Sequence, residues 1–159
     1  MSDEKYREDA EKTTRFLINQ IIPQNRLSLI DCKGWLQRGD QRNVQFDQQP
    51  IDAFWMVELG KFAYRYTKDT KYLNLMRAAF DWFLGVNDAE TSLYDRITGG
   101  CFDGLNPEGA NINQCAESTL SAVLALLSIT EMAHQQSVGV NDRGDVNGKA
   151  SRKRHYSSV

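Results

Sequence analysis

Apolar residues recur three or four positions apart in four stretches of the chain, which is the spacing of one face of an α-helix. The stretches are 3–22, 50–67, 71–84 and 114–134. The second has the most aromatic apolar face, made by Ile51, Trp55, Leu59, Phe62 and Tyr66. This spacing predicts four main helices, and no segment carries a convincing strand pattern.

Residues at the ends of these stretches are typical of helix boundaries. Pro50 suits a first helical turn, where its missing N–H would have no partner in any case. Gly85 is placed to stop the third helix in a left-handed conformation. Asn113 is a candidate N-cap for the fourth helix, and Pro23 helps to end the first.

The connections between the predicted helices differ greatly in length. The second and third helices are separated by "KDT", which predicts antiparallel neighbours in an αα-hairpin. Residues 23–49 and 85–113 form long polar loops, and their aromatic residues argue against simple disorder. These aromatic residues are Trp35, Phe46, Tyr94 and Phe102. From residue 135 the periodicity is lost, so we expect a helical domain over 1–134 and a disordered polar tail over 135–159.

Composition and charge remove several classes of function. The chain has 159 residues and a formal net charge of −2, so its charge favours neither nucleic acid nor anionic membrane as a partner. No uninterrupted apolar run reaches the roughly 18 residues of a membrane span, and no signal segment is visible. Cys32, Cys101 and Cys115 lack the spacing of a zinc or dithiol site. We therefore expect a cytoplasmic protein with free thiols and neither metal nor cofactor.

Amides and carboxylates gather where the second and fourth helices begin. The first cluster lies in "RGDQRNVQFDQQPIDAFW" and consists of Asp40, Asn43, Asp47, Gln48, Gln49 and Asp52, followed by Trp55. The second consists of Asp95, Asp103, Asn113, Gln114 and Glu117, with Tyr94 and Phe102 nearby. Such groups pair with sugar hydroxyls, while aromatic faces contact the apolar side of a sugar ring. If the second and fourth helices run parallel, the two clusters lie at the same end of the domain and can line one opening. This arrangement predicts a carbohydrate site.

Four carboxylates are candidates for catalysis: Asp47, Asp52, Asp103 and Glu117. Glycoside hydrolysis needs two carboxyl groups, about 5 Å apart for retention or roughly 6.5 to 9.5 Å apart for inversion. Their pairing stays open at this level. Helix capping is an equal alternative for Asp47 and Asn113. Trp55 lies on an apolar stripe, which favours a place in the core over a sugar platform.

Other features have simpler explanations. Glu58 lies in an apolar helix, where it either is paired or faces solvent. Gly99, Gly100 and Gly104 suit sharp turns, because they do not form a phosphate-binding loop. The tripeptide at 38–40 is a chance match to an adhesion motif. His134 and His155 are isolated and have no metal-site spacing.

Several uncommon strings occur together: "FDQQPIDA", "WFLGVND", "TGGC", "DGL" and "NQCAEST". Over about residues 1–133 the chain resembles the C-terminal all-α region associated with bacterial group 1 glycosyltransferases. That region is similar to part of an (α/α) toroid of the six-hairpin glycosidase type. The resemblance implies an all-α fold of antiparallel αα-hairpins, a partial toroid of about four main helices with long polar loops.

The chain departs from that family in two respects. Cys115 stands where a glycine is expected, and four helices supply about two of six hairpins. Without a nucleotide-binding half, the chain is a fragment, a partner subunit or a degenerate remnant. The resemblance thus implies a carbohydrate-related domain of glycosyl transfer or glycoside processing that is not a complete enzyme alone. Its expected partners are a carbohydrate or a glycosyltransferase, and a homo-oligomer is possible; the alternative function is a non-catalytic interaction or oligomerisation module.

Overall fold

Four helices dominate the described part of the protein, as the sequence predicts. The computed structural model describes residues 3–23, 26–30, 39 and 46–150, and in the last helix the side chains as far as residue 137. In chain order the elements are α1 Asp3–Ile21, α2 Pro50–Thr67, α3 Lys71–Phe83, β1 Gly104–Asn106, β2 Gly109–Asn111 and α4 Ala116–Ala150. The mainly helical class is therefore confirmed.

A small β-hairpin interrupts the long loop before α4. Strands β1 and β2 pair antiparallel, with Leu105 opposite Ala110. An isolated bridge joins Leu105 to Gln48, in the segment that precedes α2. The expectation of no strand is therefore wrong, because a three-residue strand is too short to show an alternating pattern.

Two predicted helix boundaries are confirmed. Pro50 opens α2 in its first turn. After α3, Gly85 has a φ of 105°. The N–H of Gly85 bonds to the Trp82 carbonyl at 3.4 Å, and the N–H of Val86 bonds to the Asp81 carbonyl at 3.0 Å. This pair of bonds is the Schellman ending that a left-handed glycine permits.

The start and end of α4 differ from the prediction. Asn113 is not the N-cap, because the helix begins at Ala116, directly after Cys115. The carbonyl of Cys115 accepts the N–H of Thr119 at 3.2 Å, and its Sγ accepts the N–H of Ser118 at 3.5 Å. A thiol thus caps the helix, at the position where a glycine was expected. At the other end the backbone stays helical through Ala150, beyond the predicted end at residue 134.

The core lies where α2 packs on α3 and α4. Trp82 and Phe83 are fully buried and meet edge to face, with ring centroids 5.4 Å apart. Gly60 lies where α2 crosses α3, so that a Cβ there would stand 2.7 Å from the Tyr72 carbonyl oxygen. This close approach of two backbones fixes the position of α2 and therefore of the residues before it.

Some sequence predictions fall outside the described residues. They concern Cys32, Trp35, Asp40, Asn43, His155, the 38–40 tripeptide apart from Gly39, and residues 151–159 of the predicted tail. The division into a helical domain and a tail stays a prediction.

Candidate functional site

Gln48 ties the loop before α2 to the rest of the protein. Its backbone N–H and carbonyl pair with those of Leu105 at 3.0 and 2.9 Å. Its side chain has no exposed surface; Oε1 accepts the indole N–H of Trp82 at 3.0 Å and Nε2 donates to Asp88 at 2.6 Å. Gln48 therefore holds its neighbours in place, and it presents no atom to a ligand in this structure.

Asp88 is the centre of this buried network. Its side chain is 1% exposed. Its carboxylate accepts hydrogen bonds from Gln48, from the hydroxyl of Ser28 and from the guanidinium of Arg26, the last at 3.2 Å. Three segments far apart in the chain thus meet on one carboxylate. Sequence reasoning assigned no role to Asp88, since a lone aspartate after a helix has the pattern of an ordinary turn residue.

The second polar cluster is held by its own hydrogen bonds. Asp95 accepts from the N–H of Ile97 at 2.9 Å, from the Thr98 hydroxyl at 2.8 Å and from Gln114 Nε2 at 2.9 Å. These bonds, first of all the one from Ile97, hold the pKa of Asp95 below its usual value. Gln114 is exposed and Asp95 is half-buried, so the loop presents a fixed polar surface to solvent.

Asp103 joins this loop to the start of α4. Its Oδ1 accepts the N–H of Cys115 at 2.7 Å. Hydrogen bonding from Cys115 keeps the pKa of the Asp103 carboxyl below its usual value, with a smaller effect from Ser118. The Asp103 N–H donates to the carbonyl of Asn113 at 2.9 Å. Asp103 is therefore an ionised residue that positions the first turn of α4.

Two carboxyl groups converge where α2 and α4 begin. Asp52 lies in the first turn of α2 and Glu117 in the first turn of α4, and the two helices pack together. Although Asp52 reaches solvent, neighbouring protein atoms displace part of its water, which raises its pKa above 3.8. The nearby negative charge of Glu117 raises the pKa of Asp52 further. The two helix starts are therefore close enough for their carboxylates to interact.

Trp55 is one helical turn after Asp52 and is 57% exposed. Its ring meets that of Phe54, with centroids 5.2 Å apart and planes tilted by 46°. The expectation that Trp55 lies in the core is wrong, because Ala53 and Val57 fill the buried face of α2 instead. An aromatic face is thus available on the helix that carries Asp52.

The remaining candidate residues lie around these features. Asp47 and Gln49 flank the buried Gln48, and Gln49, not Asp47, is the N-cap residue of α2. Asn113 is exposed beside Asp103. Tyr94 is 39% exposed and lines an apolar cavity of about 180 Å³ with residues of α3 and α4. The described structure therefore brings Asp52 and Glu117 together but does not join all eleven candidates in one cavity.

Glu58 belongs to a charged network between α2 and α4 that sequence reasoning left open. Lys61 Nζ lies 3.4 Å from Glu58 Oε1, 3.1 Å from Glu131 Oε2 and 3.0 Å from the hydroxyl of Ser128. The Ser128 hydroxyl also donates to Glu58. The side chains of Glu58 and Lys61 are only 13% and 11% exposed, so the paired alternative is confirmed and the solvent-facing one is wrong.

Within the part of the chain that the structure describes, no group of three or more His, Cys, Asp or Glu side chains could hold a metal ion. Comparison of the chain with protein-family models gives no match, and comparison with curated proteins gives none either. The resemblance to the glycosyltransferase-associated region therefore stays a prediction.

The pKa of Asp52 predicts how stability depends on pH. A carboxyl whose pKa is raised by folding binds protons more tightly in the folded state. Ionisation of the Asp52 carboxyl therefore lowers the free energy of unfolding as pH rises from 3.8 through the raised pKa. We expect Asp52→Asn to match the unmodified protein at low pH and to become relatively more stable towards neutral pH, as measured by urea denaturation across pH.

Asp69 is the matched control for this measurement. Its pKa is lowered by hydrogen bonding to Lys71, so Asp69→Asn should lose stability relative to the unmodified protein as pH rises, which is the opposite sign. A difference between Asp52→Asn and the unmodified protein that does not change with pH would contradict the prediction.

Proposed function

We propose that this protein is a carbohydrate-related helical domain of glycosyl transfer or glycoside processing, with its sugar site where α2 and α4 begin. The observation that carries the proposal is the convergence of Asp52 and Glu117 from the first turns of two packed helices. A carboxyl with a raised pKa beside a second carboxylate has the chemistry of a general acid beside a base or nucleophile.

The surroundings of this pair support a sugar as ligand. Trp55 supplies an exposed aromatic face near Asp52. The adjoining polar loops are fixed by the buried side chain of Gln48 and by the hydrogen bond that the N–H of Cys115 donates to Asp103. Binding sites need polar groups held in position by a supporting shell, and these two residues provide such support.

Within this proposal Asp52 holds a proton for a glycosidic oxygen, and Glu117 acts as the carboxylate opposite it. The finer fold that we propose is a partial (α/α) toroid, in which α2 and α3 form one antiparallel hairpin. Within the proposal the domain acts in the cytoplasm. It acts with a glycosyltransferase partner, because an opening between two helix starts encloses less of a substrate than a closed ring of helices would.

The sugar proposal predicts that Asp52→Asn with Glu117→Gln abolishes carbohydrate binding in a folded protein. The measurement is binding to an array of mannose-, glucose- and uronic-acid-containing oligosaccharides. The double variant removes the proton-donating carboxyl of Asp52 and the charged acceptor Glu117. It should weaken binding by at least about tenfold, since a charged hydrogen bond alone contributes roughly 1.5 to 3 kcal/mol.

The control is Asp69→Asn, which removes a surface carboxylate from the connection between α2 and α3. It should leave binding unchanged. Circular dichroism should show that the unmodified protein and both variants are folded. Failure of the unmodified, folded protein to bind any of these sugars would contradict the proposal.

A second candidate function, a non-catalytic interaction or oligomerisation module, is favoured by a separate observation. Five large apolar side chains of α4 are between 43% and 58% exposed: Leu120, Val123, Leu124, Leu126 and Leu127. Exposed apolar patches of this kind typically mark sites of association.

A further inference from the structure

Helix α4 carries more apolar side chains than its contacts with the rest of the described structure bury. The stretch Ala116–Ser137 is long and apolar enough to cross a membrane by length and composition alone, a test that core helices of soluble proteins also pass. Of the 18-residue apolar window within this stretch, however, only 28% is buried. A helix that is apolar on most sides is normally covered by protein or lipid.

The exposed apolar residues form a continuous line along α4. Leu120, Val123, Leu124 and Leu127 follow the spacing of one helix face and are 58%, 43%, 43% and 58% exposed. We call these four residues the α4 ridge. Its inner side is buried through Ala125 and Met132, so the ridge is the outward half of a helix already packed on the core.

A groove runs along each side of the α4 ridge. On one side Leu124 and Leu127 line a cavity of about 410 Å³ with Phe54 and Lys61 of α2. On the other, Val123 lines the apolar cavity of about 180 Å³ together with residues of α3. A ridge between two grooves is complementary to another helix of the same shape, because helices pack by placing ridges into grooves.

We propose that the α4 ridge binds the α4 ridge of a second copy of this chain across a two-fold axis. An isologous contact needs a self-complementary surface, and a central ridge with flanking grooves is such a surface. The ridge exposes on the order of several hundred Å², which suits the apolar centre of a standard interface of about 800 Å² per partner. The groove walls supply the rest of the contact.

The charges beside the ridge favour a protein partner over lipid. Lys61, Glu58 and Glu131 form their network along one groove, at the level of the middle and end of the apolar stretch. Charged groups are costly inside a bilayer but common at the polar rim of a protein interface. The carboxylate of Glu117 at the other end is repelled by anionic lipid surfaces.

This inference is independent of the sugar site and supplies a definite partner for the second candidate function. Its test contains no carbohydrate, so its failure and that of the sugar proposal are distinguishable. The measurement is sedimentation equilibrium of the full chain over a concentration series, for the unmodified protein and for Leu124→Glu and Leu127→Glu. The control is Phe16→Glu, because Phe16 is 66% exposed on α1 and lines neither groove.

We expect the unmodified protein and Phe16→Glu to dimerise, and each ridge variant to raise the dissociation constant by at least about 30-fold, as for a central interface residue. Circular dichroism checks that each variant is folded. Should the ridge variants fail to fold, Val123→Cys provides the test. With copper–phenanthroline added as the oxidant, two thiols at position 123 near a two-fold axis form a disulfide with each other, as read from peptide mass, whereas Phe16→Cys forms none.

A monomeric unmodified protein at all concentrations would overturn the proposal, as would dimerisation that the folded ridge variants leave unchanged. Flotation with phosphatidylcholine vesicles in place of self-association would overturn it as well, and would assign the α4 ridge to a membrane surface.

Discussion

Asp88→Ala is expected to lower the free energy of unfolding by about 2 to 6 kcal/mol, because two buried donors lose their acceptor at roughly 1 to 3 kcal/mol each. These donors are the hydroxyl of Ser28 and the side-chain amide of Gln48, which are 1% and 0% exposed. The loss is large beside the 5 to 15 kcal/mol that stabilises an ordinary domain. Urea denaturation followed by circular dichroism measures it.

Two companion variants separate this network from a general effect of charge. Arg26→Ala removes the cation opposite Asp88, but the Arg26 side chain is 37% exposed, so its pair is partly screened and its loss should cost about 1 kcal/mol or less. Asp88→Asn keeps one acceptor oxygen, so its loss in free energy of unfolding should lie between those of Arg26→Ala and Asp88→Ala. Asp88→Ala within about 0.5 kcal/mol of the unmodified protein, the usual range of a surface substitution, would contradict the prediction.

Gly60→Ala is expected to destabilise the protein by about 1 to 3 kcal/mol, the range for overpacking a tight contact. In an exposed helix the same change would stabilise by roughly 1 kcal/mol, so the sign itself is informative. A Cβ at position 60 would stand 2.7 Å from the Tyr72 carbonyl oxygen and 2.9 Å from Met76 Cβ. Neither atom is the end of a flexible side chain, so α2 and α3 must separate. Thermal and urea denaturation measure the effect.

Phe62→Ala is the control for the same helix. Phe62 is 59% exposed, so its truncation should change the free energy of unfolding by much less than the glycine substitution. If Gly60→Ala were instead more stable than the unmodified protein, the close contact of α2 with α3 at Gly60 would be wrong.

The sequence predicts the chemistry of the candidate site but not the role of each residue in it. The polar clusters before α2 and α4 are visible as runs of amides and carboxylates, and Asp52 with Glu117 are among them. Gln48 and Trp55 are seven residues apart in the same string, yet Gln48 is buried and Trp55 is 57% exposed. The pattern instead predicts a buried Trp55. Helical periodicity shows which residues share a face, but it does not identify the face that another element covers.

Asp88 illustrates a second limit. Its partners Arg26, Ser28 and Gln48 are 62, 60 and 40 positions away along the chain. Nothing in the residues adjacent to Asp88 distinguishes a buried acceptor for three donors from an aspartate in a surface turn. Burial of a carboxylate is costly without such partners, so the role of Asp88 depends on contacts between distant segments.

Local interactions account for what the sequence by itself determined: the mainly helical class, the positions of α2 and α3, the proline at the first turn of α2 and the Schellman ending at Gly85. Each depends on residues within a few positions of one another. The tertiary structure alone decided the burial of Gln48 and Asp88, the meeting of Asp52 with Glu117 and the exposed α4 ridge. These features depend on which helix faces are covered and on charges brought together from distant parts of the chain, and neither is encoded in local spacing.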